Sequence, residues 1–377
     1  MAVVLARATP PPSLSKPSNR TRKAQLPPYC GARFPNCSTT AVSDGIEEWR
    51  LLPRDNNFNC ASGGSFTSLL LGDELVPAAL CLRKQLLKSS SCPLVLVYDV
   101  RSLSTVNEAR IVTVFGSSNL IKLEDLLLRA TPTIRRARLT ALGVRGRKVA
   151  GRLTNDTFAA QTSSSRWEVQ ALKKLWLFAL PEERFPLACF VDLDVLIQAN
   201  LDPLLDPRLL SGSHRIAAVS ALGCPTGGNV FNSAVFVYRP SLATLGALLR
   251  RERSFERVGQ ACENSFTDQS LLNAEFRGGC ASYSQPHKCG NLGWNRLSLS
   301  YNVNVQMIAA LPEASWAGAG VAVIHFAGYY AKPWHALPKR SADAFRQLVM
   351  ERERKMRERW LAVCSHVRLK KSPERPS

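Results

Sequence analysis

Asp192 and Asp194 stand two residues apart inside the apolar run Cys189-Phe190-Val191-Asp192-Leu193-Asp194-Val195-Leu196-Ile197. If that run is one strand, its period-2 geometry sends both carboxylates to the same side. Two like charges among Phe, Val, Leu and Ile would cost several kcal/mol, about the penalty of unpaired buried ions, unless a cation lies between them. The pair therefore predicts a metal site at the end of a central strand. The other reading ends the strand at Val191 and leaves both aspartates as solvated loop residues.

Positioning such a pair needs a sheet. Phe66 to Leu71 reads as a first strand, Gly72-Asp73 as its turn and helix cap, and Glu74 to Leu87 as a helix with Leu75, Ala79, Leu82 and Leu86 on one face. Leu94 to Tyr98 is a second strand ending at Asp99, so strand, helix and strand predict a right-handed βαβ unit with parallel pairing. Ligands of such sheets gather at the carboxyl ends of the strands, where Asp73 and Asp99 fall. After a helix from Ser104 and a strand at Leu120 to Leu123, the basic stretch Arg129 to Arg152 reads as a loop or short helix over the site. Glu168 to Leu180 is a helix that leads into the aspartate strand and carries Lys173 and Lys174. Further on, Asp268 either caps the helix Gln269 to Phe276 or faces the site, and His325 ends the apolar run Val321 to Ile324. A terminal helix places Phe345, Val349, Met356, Trp360 and Val363 at helical spacing.

Composition narrows the class. The 377 residues are 45% hydrophobic, enough for one large α/β domain with appendages, and no run reaches the roughly 18 apolar residues of a membrane span. The net charge of +20 favours acidic partners such as nucleotide phosphates. Nucleic acid is not expected, because no aromatic residues interleave the arginines of 129–152 and no readout motif accompanies them. The eleven cysteines contain no Cys-x-x-Cys pair and read as buried reduced thiols; Cys280, His287 and Cys289 form at best a weak metal clip. Residues 1 to 43 contain no Asp or Glu and include Arg7, Arg20, Arg22, Lys23 and Arg33. That composition predicts a plastid or mitochondrial transit peptide, with a cytoplasmic protein carrying a disordered basic arm as the alternative. The expected division is a basic extension over 1–60, a catalytic domain over 61–336, and a basic helix and tail over 337–377.

Asp192-Leu193-Asp194, Phe231-Asn232-Ser233, Asp268-Gln269-Ser270-Leu271-Leu272-Asn273, Tyr301-Asn302 and His325-Phe326-Ala327-Gly328 with Lys332-Pro333-Trp334 occur in this order. Together they resemble glycosyltransferase family 8, most closely its glycogenin-like branch, from about Ser65 to Trp334. The resemblance implies a GT-A fold, a Rossmann-like nucleotide half merged with an acceptor half around a mostly parallel sheet. It implies a UDP-sugar donor, Mn²⁺, and transfer with retention to a carbohydrate, polyol or other hydroxyl acceptor; a homodimer is allowed. By position Asp192, Asp194 and His325 are the metal ligands, and two carboxylates with an imidazole suit such an ion. Lys174, Leu193, Asn232, Ser233, Gly328 and Lys332 match donor-binding positions, Lys332 as a charge on the diphosphate and Gly328 as a close backbone approach. Asp268, Gln269 and Asn232 match the reaction site. Arg166 is a further, unaligned contact.

Some residues depart from that pattern. Leu71-Gly72-Asp73-Glu74-Leu75 follows the first strand where glycogenins have polar residues and a tyrosine, Ala234 replaces a glycine, and one extra residue lies between Gly328 and Lys332. After Tyr301-Asn302 the chain reads Val305-Gln306-Met307-Ile308-Ala309-Ala310-Leu311, without the tyrosine that glycogenin glucosylates on itself. Transfer to a separate acceptor is therefore expected. The departures leave a catalytically silent nucleotide-sugar-binding or scaffold protein on the same fold as the alternative.

Overall fold

Alternating apolar residues with two buried faces build the centre of this protein. The structure is a computed structural model that describes residues 60, 63–141, 172–211, 214–221, 230–254, 267–276, 293–310, 320–327, 332–334 and 344–365. The candidate transit peptide, Arg166, the group Cys280, His287 and Cys289, and Gly328 lie outside the described residues.

The strands are β1 (Gly64–Leu70), β2 (Leu94–Tyr98), β3 (Leu120–Lys122), β4 (Leu187–Val191), β5 (Val195–Ile197), β6 (Ile216–Ser220), β7 (Phe231–Tyr238), β8 (Trp294–Leu297), β9 (Val303–Asn304) and β10 (Val323–His325). Among the described residues, seven of them form one sheet in the order β3-β2-β1-β4-β7-β6-β8 and three form a small sheet in the order β5-β10-β9. In the large sheet only β7 runs against its neighbours. The run β3-β2-β1-β4 is parallel throughout, and the remainder is mixed because β7 runs against β4 and β6.

Both faces are covered. Phe66, Leu70, Leu96, Cys189, Val191 and Val237 pack on one side, while Leu69, Val95, Ala188, Phe190, Phe236 and Tyr238 pack on the other, as the pleat requires. The first face is covered by α1 (Val76–Ser89) and by the terminal helix α7 (Ala344–Val363). The second is covered by α3 (Leu123–Ala141), a 3-10 segment (Lys173–Ala179), α4 (Leu242–Ser254) and α5 (Asp268–Phe276). The remaining helices are α2 (Thr105–Phe115) and α6 (Val305–Ala310). No described helix is long and apolar enough to cross a membrane.

Several expectations are corrected. The run 189–197 is two strands in different sheets, because the chain leaves the large sheet after Val191 and enters the small one at Val195. Asp73 does not cap α1: its carboxylate accepts from the Ser104 amide at 2.8 Å, and α1 starts three residues later with Pro77 in its first turn. Gly72, at φ 153°, makes that turn; a Cβ there would stand 2.6 Å from the Glu74 carboxylate. The described part of the segment before β4 is 3-10 rather than α-helical. Of the two readings of the basic stretch, its described start, Arg129 to Ala141, takes the helical one, as the continuation of α3. Reduced thiols are found at Cys189 alone among the described cysteines, because Cys60 pairs with Cys92 and Cys81 with Cys364.

The Cys81–Cys364 bond joins α1 to the end of α7, so the terminal helix belongs to the same body as the sheet. Its Trp360 is fully buried, donates from Nε1 to the Val195 carbonyl at 3.1 Å, and packs against Trp334 with ring centroids 5.9 Å apart. Trp360→Ala is expected to lower unfolding free energy in urea by about 3–5 kcal/mol, and Trp360→Phe by a smaller amount set by the lost hydrogen bond.

Candidate active site

Asp192 and Asp194 lie at the joint between the two sheets. The Asp192 amide donates to the Ala234 carbonyl at 2.9 Å, one step beyond the β4–β7 ladder, so Asp192 is the last residue the large sheet holds. The Asp194 carbonyl accepts from the Phe326 amide at 2.9 Å, one step before the β5–β10 ladder, so Asp194 is the first residue of the small sheet. In that ladder His325 faces Val195. Carboxylate oxygens of Asp192 and Asp194 and a ring nitrogen of His325 consequently lie within 4.8 Å of one another. The convergence that a single pleated strand would give arises instead from the pairing register of two sheets. Leu193, between them, buries its side chain in the core.

Both sides of the joint are clamped. Ser68 Oγ donates to the Val191 carbonyl at 2.7 Å. Gln85 of α1 donates from Nε2 to the Val195 carbonyl at 3.2 Å and accepts at Oε1 from the Ile197 amide at 2.7 Å. With Trp360 also on the Val195 carbonyl, β5 has little freedom to carry Asp194 away.

Each aspartate has its own lysine. Lys174 Nζ, from the 3-10 segment, lies 3.2 Å from Asp192, 3.1 Å from Asp268 and 3.1 Å from the Ser233 carbonyl, and 4.5 Å from the Phe190 ring centre. Lys332 Nζ bonds Asp194, and His325 Nε2 is 3.5 Å from the same carboxylate. Asp192 is the more open of the pair, 27% exposed against 8% for Asp194. Burial pushes the Asp192 carboxyl up to about 6, with Lys174 opposing and Asp194 adding to the rise. Burial also works against ionised Asp194, yet Lys332 and His325 hold its carboxyl far below the usual range. Burial would lower the Lys174 ammonium, but Asp192 and Asp268 overcome it and keep that group charged. The neighbouring Lys173 pairs with Asp99 at the end of β2, so the two adjacent lysines serve different carboxylates.

Asp268 is free for this role because it does not cap α5. Thr267 does: its Oγ1 accepts from the Ser270 amide at 3.3 Å and its carbonyl from the Leu271 amide at 3.2 Å. Gln269 Oε1 accepts from the Ser233 amide at 3.2 Å, which fixes α5 to β7 beside the aspartates. Two residues quoted only as parts of motifs prove to be clamps. Asn273 accepts from the Phe231 amide at 2.8 Å and donates to the Phe231 carbonyl at 2.8 Å, and Asn302 Nδ2 donates to Asn232 Oδ1 at 2.8 Å. Both are buried asparagines, Asn273 inside α5 and Asn302 just before β9, and buried amides must find partners; that was the available signal. The structure thus brings Lys174, Asp192, Asp194, Asn232, Ser233, Asp268, Gln269, His325 and Lys332 together.

The site is a buried cluster of paired acidic and basic side chains at the joint of two sheets. Among known proteins, the chain is 30% identical to Glycogenin-1 of Homo sapiens over 167 residues, covering 44% of this chain and 39% of that protein. It is also 30% identical to Glycogenin-1 of Oryctolagus cuniculus over 168 residues, covering 44% and 41%. Over that stretch the chain is a homologue of the glycogenins of glycosyltransferase family 8, and it spans about two fifths of the length of these curated relatives. No family model matches. Solved structures similar to it include the WbbM bifunctional glycosyltransferase (16% identity, TM-score 0.47, 85% of this chain and 53% of that one). The galactosyltransferase LgtC in complex with donor and acceptor sugar analogs is another (14% identity, TM-score 0.46, 82% and 98%).

The donor set of two carboxylates and an imidazole fits a divalent cation of the Mn²⁺ type. With burial pushing the Asp192 carboxyl up to about 6, affinity for Mn²⁺ measured by calorimetry should fall as pH drops from 7.5 to 5, by at least about tenfold per unit at the acid end if Asp192 is a ligand. A flat profile would exclude Asp192 from the ligand set.

Proposed function

We propose that this protein is a metal-dependent, retaining hexosyltransferase that moves glucose or galactose from a UDP-sugar to a separate hydroxyl acceptor. The observation that carries the reading is the meeting of Asp192, Asp194 and His325 with Asp268, joined through the single ammonium of Lys174.

Asp192, Asp194 and His325 would hold the cation, whose chemistry is Lewis-acid stabilisation of the departing diphosphate. Lys332 bonds Asp194, and a donor diphosphate bound beside that carboxylate would offer this lysine a second anionic partner. Lys174 stays charged between Asp192 and Asp268 and holds the latter carboxylate toward the reacting face. There Asp268 serves the positive charge that develops on the sugar as its bond to UDP breaks. Ser233, fixed through its amide by Gln269, and Asn232 line the sugar side.

The acceptor is not supplied by this stretch of chain. The segment after Tyr301-Asn302 is α6, whose Val305 and Ile308 are fully buried, and it holds no tyrosine. A carbohydrate or polyol in solution fits that arrangement. The acid-free composition of residues 1 to 43 supports import into a plastid or mitochondrion as the setting.

Mn²⁺ and UDP together should raise the melting temperature more than the two separate shifts combined, and Asp194→Ala should abolish the excess. In a panel of UDP-sugars, wild-type protein with Mn²⁺ should slowly hydrolyse a UDP-hexose. If none is hydrolysed while UDP still binds, the protein is a silent binder on this fold.

A further inference from the structure

Asn232 is the one residue of β7 that is not buried, so its side chain is where that strand opens to the site. A primary amide has two unlike ends, and which end faces a ligand decides whether it donates or accepts. Here the choice is fixed by neighbours. The Ala234 backbone amide, which can only donate, points at Asn232 Oδ1 from 2.9 Å. Asn302 Nδ2 donates to the same oxygen at 2.8 Å. With Oδ1 engaged twice, the Nδ2 group of Asn232 is the end directed elsewhere.

Asn302 is 8% exposed, and its own Oδ1 is buried with no hydrogen-bond partner. The Asn302 side chain is thus held at its Nδ2 end, by the bond to Asn232. Its backbone is held independently of Asn232. Its amide donates to the Leu299 carbonyl at 3.1 Å, and the next residue, Val303, pairs with Ile324 in the small sheet. The contact thus runs from the small sheet, which carries His325, to the large sheet, which carries Asn232.

From this geometry we infer that Asn302 is a positioning residue that locks the Asn232 amide with its NH₂ group toward the donor sugar, making this position a hydrogen-bond donor to a sugar oxygen. The inference rests on the hexosyltransferase reading for the identity of the ligand, but not for the orientation of the amide. Asn302 touches neither nucleotide nor metal ligand in this account, so its effect passes through Asn232 alone.

The test is a double-mutant cycle on the full chain with Asn232→Ala, Asn302→Ala and both, read as kcat/KM for Mn²⁺-dependent UDP-hexose hydrolysis, as UDP affinity and as melting temperature. Asn302→Ala should lower kcat/KM about tenfold in the wild-type background and less than about twofold when Asn232 is already Ala, while UDP affinity stays within about twofold. Asn302→Asp, which keeps the shape but cannot donate to Asn232 Oδ1, should fall as far as Asn302→Ala. Additive losses, or an Asn302→Asp protein as active as wild type, would overturn the assignment. If the wild-type protein hydrolyses no UDP-hexose, the hexosyltransferase reading fails and the lock is read directly by NMR in ¹⁵N-labelled, ligand-free protein. The Asn232 side-chain NH₂ signal, identified by its loss in Asn232→Ala, should move in Asn302→Ala, and an unmoved signal overturns the lock.

Discussion

Two carboxylates cannot stay ionised side by side in an apolar setting without cations, and the central part of this protein is arranged around that constraint. Asp192 and Asp194 are each given a lysine, and the lysines come from distant parts of the chain: Lys174 from the segment before β4, and Lys332 from the stretch after β10. Asp268 then shares Lys174. Remove either ammonium and the remaining carboxylates face each other across a buried joint, a loss of the kind that costs about 3–5 kcal/mol. The same constraint explains the clamps. Gln85, Ser68 and Trp360 hold the backbone on both sides of the pair, so the carboxylates cannot relieve their repulsion by moving apart.

That arrangement bears directly on the proposed chemistry. Lys332 brings the charge beside Asp194 near balance. On the proposed function, a divalent ion alone would compete with that lysine for Asp194, whereas an ion bound together with a diphosphate would give the lysine a second anionic partner. Metal and nucleotide would then favour each other, and by linkage the benefit would be equal in both directions.

Much of this was legible in the chain. The first βαβ unit follows from alternating apolar residues, and the large sheet has the expected parallel half. Asp192, Asp194 and His325 stand out because ionisable groups inside or at the end of apolar runs demand an explanation. What was hidden depends on partners far apart in sequence. A strand ending at Val191 was one of the two readings of 189–197, but nothing local says that a second sheet takes up the chain at Val195, since that depends on β10, more than a hundred residues further on. Nor does spacing reveal that Cys364 meets Cys81, because α7 brings them together only by packing on α1. Thr267 rather than Asp268 caps α5, although capping propensity ranks Asp above Thr. The roles of Asn273 and Asn302 likewise appear only once β7 has neighbours.

The central claim is that residues from two sheets share one cation. Pulsed electron paramagnetic resonance of Mn²⁺ bound together with UDP tests it directly, because a histidine nitrogen in the coordination sphere modulates the manganese signal. The account predicts one Mn²⁺ per chain with a nitrogen coupling that disappears in His325→Gln. A bound manganese without nitrogen coupling, or one whose coupling survives that substitution, would contradict it.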